Sequence, residues 1–509
     1  MSSLLAALFL CTVSVSRFFA DGMMLQRDRP VPVWGTATPG ERVEASFGGK
    51  STTATADAKG NWCVTLPAFP ASDMGRDLKV GPHTFKDVVV GDVYLAGGQS
   101  NMQFPVCGRS ARQHDAKGNA LSQIVCDDAL RFSAPRRAYA ATPANDVALV
   151  WRKSRREDLW KKPYEGNHEE GSISAVAWYF ARYVREAAKV PVGFVDVSRG
   201  GAFIEPSMPP AEVARAKELR LGGSGHQAPG VMWNAMIAPM ARFPFKGVLW
   251  YQGESNKNDT NGVYLAKLRA LVGGWRREFG NPVLPFYYVQ LAPYSAGHLA
   301  IQLQQAEYEK EDPNAAMVVV ADIGNLRNIH PRDKDTVGLR LALRALKREY
   351  GFDDMQDASP EVRRATCDGS GKVSLEFANA KWLYVLNEDM SLAADFELMD
   401  SAGKWHAARI VNFKDSWIWW SKKYAKNGEF EGNSIELAAG GVAQPKAVRY
   451  LFNSPWQGSV FNEAALPLGP FAIAVEECPQ VERRNSPIVI PANRLNAAAR
   501  CVGEAKPES

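Results

Sequence analysis

The sequence lacks three features that would each indicate a particular class of protein. It has no run of about 18 apolar residues, which excludes an ordinary membrane-spanning helix. Its seven cysteines include no C-x-x-C pair, so a structural zinc site of the cysteine type is not expected. Its net charge of +5 comes without a basic tract, which argues against nucleic-acid binding.

The composition is otherwise that of a globular protein. Hydrophobic residues make up 46% and charged residues 23% of the 509 positions, which argues against disorder and against a fibrous fold. The apolar run at 4–10 has no basic residue before it. This run fits a signal peptide, which would make the protein secreted or periplasmic. Residues 11–19 fit equally well as a first strand, in which case the protein is expected to be cytoplasmic.

The pattern of residues changes twice along the chain. Short β-branched runs between Gly, Pro and Asn turns predict β modules at 12–91 and 360–475, and 476–509 is expected to be a tail. Strands alternate with helices over 92–355, which predicts crossover units and a parallel sheet. The predicted strands are 93–96, 193–197, 246–251, 286–290 and 317–321, and the predicted helices are 174–189, 231–243, 264–279, 302–311 and 336–350.

Four polar segments each follow a predicted strand of the parallel sheet. They are 97–102, 198–201, 252–256 and 322–331. Ligands of doubly wound sheets bind beyond the carboxyl ends of the strands. The four segments taken together therefore predict a functional site, although each alone is a weak signal.

The residues of these segments suit acyl transfer. Ser100 is the candidate nucleophile and His330 the candidate base, because a serine hydroxyl needs a base near neutral pH. Backbone N–H groups of the Gly200-Gly201 turn and the Asn256 side chain are candidate donors to an oxyanion. The structural alternatives are a helix cap for the serine, a turn residue for the asparagine and a hydrogen-bonded strand-end residue for the histidine.

Longer motifs surround these positions, over about positions 15 to 473 of the chain. They include Asp21-Gly22-Met23-Met24-Leu25-Gln26-Arg27, Gly98-Gln99-Ser100-Asn101-Met102, Trp250-Tyr251-Gln252-Gly253-Glu254-Ser255-Asn256 and Ile329-His330-Pro331. Their order resembles the SGNH-hydrolase superfamily and, within it, the sialate O-acetylesterase family of carbohydrate esterases.

This resemblance implies an α/β fold whose SGNH-type, flavodoxin-like parallel sheet is flanked by N- and C-terminal β-sandwich-like modules. It implies catalytic roles for Ser100 and His330, with oxyanion donors as above. Gln99, Gln252 and Glu254 are expected to line the substrate pocket. No cofactor and no metal are implied.

Two departures from the family pattern concern the site. Many relatives have Trp where Arg199 stands, so Arg199 is expected to change which substrate is bound. The superfamily's Asp-x-x-His spacing places Arg327 where the acid should be, and Asn328 stands two before the histidine. A Ser-His dyad is the leading hypothesis, and a triad completed by the upstream Asp322 is the alternative.

The expected function is hydrolysis of an O-acetyl ester on a carbohydrate, with sialic acid as the first choice of sugar. An acetylxylan or other glycan deacetylase is the alternative within the same class. A non-catalytic carbohydrate-binding protein is the alternative outside it. An acetylated carbohydrate is the expected partner, and the sequence does not indicate an oligomeric state.

Overall fold

The computed structural model describes residues 13–106, 126–160, 173–216, 219, 221–386, 395–412, 414–417, 426–429, 432–453 and 457–476. The segment expected to be a signal peptide or the start of a first strand, and all of the expected tail beyond its first residue, lie outside the described residues. No helix of the described ranges is long and apolar enough to cross a membrane.

The first part of the chain is a β module, as the sequence predicts. Strand β6 shows why, since Trp62, Val64 and Leu66 alternate as its buried residues. Its partner is β3, and β4 pairs with both β5 and β7. The strands are β1 Ser14–Val15, β2 Met24–Gln26, β3 Val31–Thr36, β4 Arg42–Phe47, β5 Lys50–Thr55, β6 Asn61–Leu66 and β7 Ser72–Val80.

A single strand of 16 residues, β8 (His83–Gly98), connects this module to the next. Its first half pairs antiparallel with β7, and Val89–Gly91 pair in parallel with β2. Its second half enters the parallel sheet. The module boundary expected between 91 and 92 therefore falls inside a continuous strand.

The middle of the chain alternates strands and helices. The elements are α1 Ser100–Gln103, β9 Asp127–Ser133, β10 Arg152–Ser154, α2 Arg156–Trp160, α3 Ala175–Ala188, β11 Val192–Asp196, α4 Pro210–Arg215, β12 Gly247–Tyr251, α5 Val263–Glu278, β13 Phe286–Val289, α6 Leu299–Glu311, β14 Ala315–Val318 and α7 Lys334–Tyr350. Short 3₁₀ turns occur at Glu205–Ser207, Gly225–Gln227, Ala238–Met240 and Glu254–Asn256.

The strand order confirms the predicted parallel sheet. It runs β10-β9-β11-β8-β12-β13-β14, and every neighbouring pair is parallel except β10 with β9. If β9, a sixth parallel strand that lies outside β11, is left out of the count, the strands β11-β8-β12-β13-β14 follow the order 2-1-3-4-5 of a doubly wound sheet. The order reverses between β8 and β12, so the carboxyl ends of these two strands are where a ligand is expected.

Most predicted helices are confirmed, and their ends have physical causes. Helix α3 begins after Ser174, whose hydroxyl accepts from the Ala177 N–H at 3.1 Å, and ends at Lys189 in the left-handed region. The helix predicted at 231–243 is present over 231–240, but only 231–232 are α-helical. The chain instead forms a π-helical turn at Trp233–Ile237 and then a 3₁₀ turn containing Pro239, which has no N–H for an α-helical hydrogen bond.

The last part of the chain is a second β module with its own apolar core. Its seven-stranded antiparallel sheet has the order β15-β16-β22-β19-β18-β23-β25, and a four-stranded sheet has the order β20-β21-β17-β24. The strands are β15 Glu361–Cys367, β16 Val373–Ala378, β17 Leu383–Val385, β18 Phe396–Met399, β19 Trp405–Ile410, β20 Lys414–Trp417, β21 Lys426–Glu429, β22 Ser434–Ala438, β23 Ala447–Tyr450, β24 Val460–Asn462 and β25 Phe471–Ala474. The first module and the parallel sheet share a separate, larger core.

Candidate active site

Ser100 stands at the carboxyl end of β8, where the strand meets helix α1. Gly98 makes the turn possible, because it has φ +133° and a Cβ there would lie 2.1 Å from the Tyr251 carbonyl oxygen. The Gln99 N–H donates to the same carbonyl at 2.9 Å, which ties the end of β8 to β12. Ser100 is the first residue of α1, so its N–H has no acceptor within the helix.

His330 reaches Ser100 from the segment that follows β14. Its Nε2 lies 2.9 Å from the Ser100 hydroxyl oxygen, and both residues are partly buried. The His330 backbone N–H donates to the Asn328 side-chain oxygen at 2.9 Å, which shapes the turn before the ring. A serine hydroxyl in hydrogen-bond contact with an imidazole is the arrangement needed for general-base activation of a nucleophile.

Asp322, the alternative third member of a triad, has a different partner. Its two carboxylate oxygens accept from the two terminal nitrogens of Arg340, each at 2.7 Å. Arg340 is buried in helix α7 and also donates to the Val319 carbonyl at 2.9 Å. Asp322 thus ties α7 to the end of β14.

The Gly200-Gly201 turn, which follows β11, lies beside the nucleophile. A Cβ on Gly200 would be 3.8 Å from the Ser100 Cβ. The Gly200 N–H donates to the side-chain oxygen of Gln103, one turn after Ser100 in α1. Gly201 has φ +71°, and its carbonyl accepts from the Ser255 hydroxyl at 3.1 Å.

Asn256 is buried, and its amide is already hydrogen-bonded. Its nitrogen donates to Glu205 at 3.1 Å and to Asp259 at 2.7 Å. Its oxygen accepts from the Ile204 N–H at 3.0 Å and from Gln252 at 2.6 Å. Asn256, the expected oxyanion donor, thus has both amide hydrogens paired with carboxylates in this structure. Asn256 connects the segment after Gly201 to the segment after β12.

Two of the residues expected to line the pocket are buried. Gln99 and Gln252 are only 3% and 1% exposed. The Gln99 side-chain oxygen accepts from the Gly253 N–H at 3.3 Å and from the Ser255 N–H at 3.1 Å. Gln252 accepts from the Tyr264 hydroxyl at 3.0 Å. Both glutamines therefore hold the ends of β8 and β12 in place.

Glu254 belongs to a buried polar group that also contains two residues without a role in the sequence analysis. Asn101 donates to Glu254 Oε1 at 2.5 Å and accepts from Lys334 Nζ at 2.6 Å. Glu254 Oε2 is buried without a hydrogen-bond partner. Burial raises the pKa of the Glu254 carboxyl, and it lowers the pKa of Lys334 to about 7. The sequence offered a signal in the positions of these two residues, since Asn101 directly follows Ser100 and Lys334 comes four residues after His330.

Arg199 lies at the rim of the site, directly before the Gly200 turn. Its Nε donates to the Tyr139 hydroxyl at 2.5 Å, and its Nη1 donates to the Gly200 carbonyl at 3.3 Å. Tyr139 is 39% exposed, and its ring centre is 5.8 Å from that of His226. The exposed Arg136 stands on the same segment as Tyr139. This side of the site therefore presents cations and aromatic surface next to the nucleophile.

A metal site is not found in the part of the chain that the structure describes. No three or more His, Cys, Asp or Glu residues there are grouped so that they could hold a metal ion.

Comparisons with known proteins identify the family of the chain. The model of the carbohydrate esterase, sialic acid-specific acetylesterase family matches residues 90–347. The chain is similar to the sialate O-acetylesterases of Mus musculus, with 28% identity over 67% of this chain and 74% of the relative, and of Homo sapiens, with 29% identity over 67% and 72%.

The solved structure of a carbohydrate acetylesterase from Xanthomonas citri is similar over 91% of this chain and 99% of its own, with a TM-score of 0.76 and 32% identity. The family model covers half of the chain, from the middle of β8 to helix α7. The protein therefore belongs to the carbohydrate esterase family of sialic acid-specific acetylesterases and is a carboxylic ester hydrolase.

Proposed function

We propose that the protein removes O-acetyl groups from sialic acid, with Ser100 as nucleophile and His330 as general base. The observation that carries the proposal is the 2.9 Å contact between the two side chains at the point where the strand order reverses. The proposal includes an SGNH-type, flavodoxin-like core with β-sandwich-like modules on either side. The 2-1-3-4-5 strand order and the position of the polar segments support it.

The Ser100-His330 pair would hydrolyse the ester in two stages. The Ser100 oxygen bonds to the acetyl carbonyl carbon while its proton passes to His330 Nε2. The tetrahedral intermediate collapses, the ester C–O bond breaks, and His330 returns the proton to the departing sugar oxygen. Water then attacks the acetyl-serine with His330 again accepting a proton. Acetate leaves, and the proton returns to the Ser100 oxygen.

Backbone donors stabilise the oxyanion in this proposal. The Ser100 N–H at the start of α1 and a glycine N–H from the Gly200-Gly201 turn are the donors nearest the reacting carbonyl. The Gly200 N–H is paired with the Gln103 side chain, so the substrate oxygen takes the place of the Gln103 oxygen. Asn256 does not contact the oxyanion in this proposal. Its side-chain oxygen accepts from the Ile204 N–H and so holds the segment that follows the Gly200-Gly201 turn.

The charge at the rim supports an acidic sugar as substrate. Arg199 stands between the nucleophile's glycine turn and Tyr139. A guanidinium group pairs with a carboxylate through two parallel hydrogen bonds, which gives geometric specificity as well as affinity. The mouse and human relatives are named for activity on sialate, which carries such a carboxylate. Gln99, Gln252 and Glu254 support the pocket from below.

The proposed function is tested by measuring acetate release from O-acetylated sialic acid, its methyl ester, acetylated xylan and 4-nitrophenyl acetate. We expect hydrolysis of the aryl ester and preference for the free sialic acid over its methyl ester. Preference for xylan, or for the methyl ester, would replace the sialic acid assignment by another glycan. Failure to cleave any of them would contradict the esterase mechanism.

The Ser100→Ala variant tests the nucleophile. We expect a fall in kcat of about 10⁴ or more with an unchanged fold, because removal of a serine nucleophile leaves only binding and oxyanion stabilisation. Ser51→Ala, at an exposed position of β5, is the matched control and should match the wild type. Turnover near the wild-type value in folded Ser100→Ala protein would exclude this mechanism.

A further inference from the structure

Three buried polar side chains meet directly behind the nucleophile. Asn101, Glu254 and Lys334 are 2%, 5% and 3% exposed, and each belongs to a different segment of the site. Asn101 follows Ser100, Glu254 follows β12, and Lys334 is the first residue of helix α7. Burying two opposite charges is costly unless hydrogen bonds compensate them, so this group calls for an explanation.

Asn101 connects the group to both members of the Ser-His pair. Its amide nitrogen donates to Glu254 Oε1 at 2.5 Å and to the Ile329 carbonyl at 3.0 Å. Its oxygen accepts from Lys334 Nζ at 2.6 Å. The side chain that directly follows the nucleophile is therefore bonded to the residue that directly precedes the base.

The position of Lys334 is fixed from several sides. Its ammonium group lies 5.1 Å from the centre of the Phe104 ring and 5.6 Å from that of Tyr251, which adds cation–π attraction. The charged side chains that act on it are Glu254 and Asp333. The lysine therefore holds the Asn101 oxygen, and through it the orientation of the whole amide.

We propose that Asn101, Glu254 and Lys334 form a positioning unit that holds the Ile329-His330 segment against Ser100. None of the three touches the reacting atoms in this assignment. Asn101 carries the restraint, and Glu254 and Lys334 fix the direction of its amide. The proposal rests on the Ser-His mechanism proposed above, and it adds Asn101 and Lys334, to which that mechanism gives no role.

The positioning unit predicts a specific change in the kinetic constants. Loss of the restraint lets His330 move relative to the serine hydroxyl, and a displacement of about 1 Å from reactive geometry can cost on the order of 10²-fold in rate. Substrate binding at the rim does not use these buried residues. The loss should therefore appear in kcat, with little change in KM.

The test uses the full-length variants Asn101→Asp and Lys334→Met. Asn101→Asp keeps the size of the side chain and the acceptor for Lys334 but removes both amide donors. Arg344→Met is the matched control, because Arg344 is also a buried cation of α7 and pairs with Asp357 and Glu309 away from the site. Melting temperatures establish that each variant is folded.

Two readouts are compared, the steady-state hydrolysis of 4-nitrophenyl acetate and the rate at which a fluorophosphonate labels Ser100. We expect Asn101→Asp and Lys334→Met to lower both kcat and the labelling rate by about 10- to 100-fold, and Arg344→Met to leave both at the wild-type value. Unchanged labelling in folded variants, or a rise in KM alone, would overturn the positioning unit.

A double variant controls for misfolding of the Lys334→Met protein. Lys334→Met leaves the Glu254 charge buried without its cation, which can prevent folding. The double variant Lys334→Met with Glu254→Gln removes both charges and should show the same loss of kcat. Full activity in the double variant would overturn the proposal.

The labelling experiment also distinguishes failure of the positioning unit from failure of the proposed function. If the wild type is not labelled at Ser100, the proposed function fails as well. If the wild type is labelled and the variants match it, only the positioning unit fails.

Discussion

At the scale of single residues, Asp322 has a hydrogen-bond partner that the sequence did not predict. Its distance along the chain made it the nearest carboxylate upstream of His330, but its hydrogen bonds go to Arg340. A carboxylate held by two hydrogen bonds from one guanidinium group is a stable pair in itself. We therefore expect the orientation of the His330 ring not to depend on Asp322.

Replacing Asp322 by Asn separates the two roles of that carboxylate. We expect Asp322→Asn to lower the melting temperature, because the buried Arg340 loses its charged partner, while kcat changes less than about threefold. An Asp→Asn change in a catalytic triad costs about 10⁴ in kcat. Thermal unfolding and steady-state kinetics on the same preparation distinguish the outcomes. A triad-sized loss in folded protein would show that Asp322 acts on His330 during turnover.

Asn256 is also expected to contribute more to stability than to catalysis. Its amide satisfies two carboxylates and one backbone N–H, so Asn256→Ala should destabilise the fold by about 1–3 kcal/mol for each buried group left unpaired. Its effect on kcat should stay below the roughly 10²–10³-fold loss typical of an oxyanion donor. Chemical denaturation and kinetics measure the two effects. A full oxyanion-sized loss without destabilisation would restore the donor role.

At the scale of elements, the turn between β8 and α1 sets the position of the nucleophile. Gly98 combines positive φ with a close backbone approach to Tyr251. We expect Gly98→Ala to separate the ends of β8 and β12 and to lower kcat strongly, because Ser100 follows two residues later. Gly49→Ala is the control, since that glycine also has positive φ but no atom lies within 4 Å of its added Cβ. Equal activity of both variants would contradict this reading.

The sequence predicted those elements whose signals are local. Helix α3 has an apolar stripe, an N-cap serine and a following Pro191, and its observed bounds agree with the prediction within one residue at each end. The length of β8 could not be predicted, because it depends on a change of pairing partners from β7 to β11 and β12. The same holds for Asn256, whose partner Glu205 is 51 positions away in the chain.

At the scale of the whole molecule, the apolar cores do not follow the three sequence modules. One core joins the first module to the parallel sheet, and the last module has another. Residues that share a core unfold together more readily than residues that do not. Two cooperative units are therefore expected instead of three.

Calorimetry of two matched variants tests this expectation. Leu66 in β6 and Leu437 in β22 are both fully buried, one in each core. Each Leu→Ala change should cost about 2–5 kcal/mol. Leu66→Ala should lower the transition at which activity is lost, and Leu437→Ala should lower a different transition. A single transition shifted equally by both variants would mean that the cores unfold as one unit.

Strand β8 also limits how such a protein can be recombined. A genetic crossover placed between the first module and the parallel sheet would cut through the 16-residue strand that ends two positions before Ser100. The first half of that strand is hydrogen-bonded to β7, and the second half is hydrogen-bonded to β12. The first module can therefore be exchanged with a homologue only together with the nucleophile, so the two should share one evolutionary history.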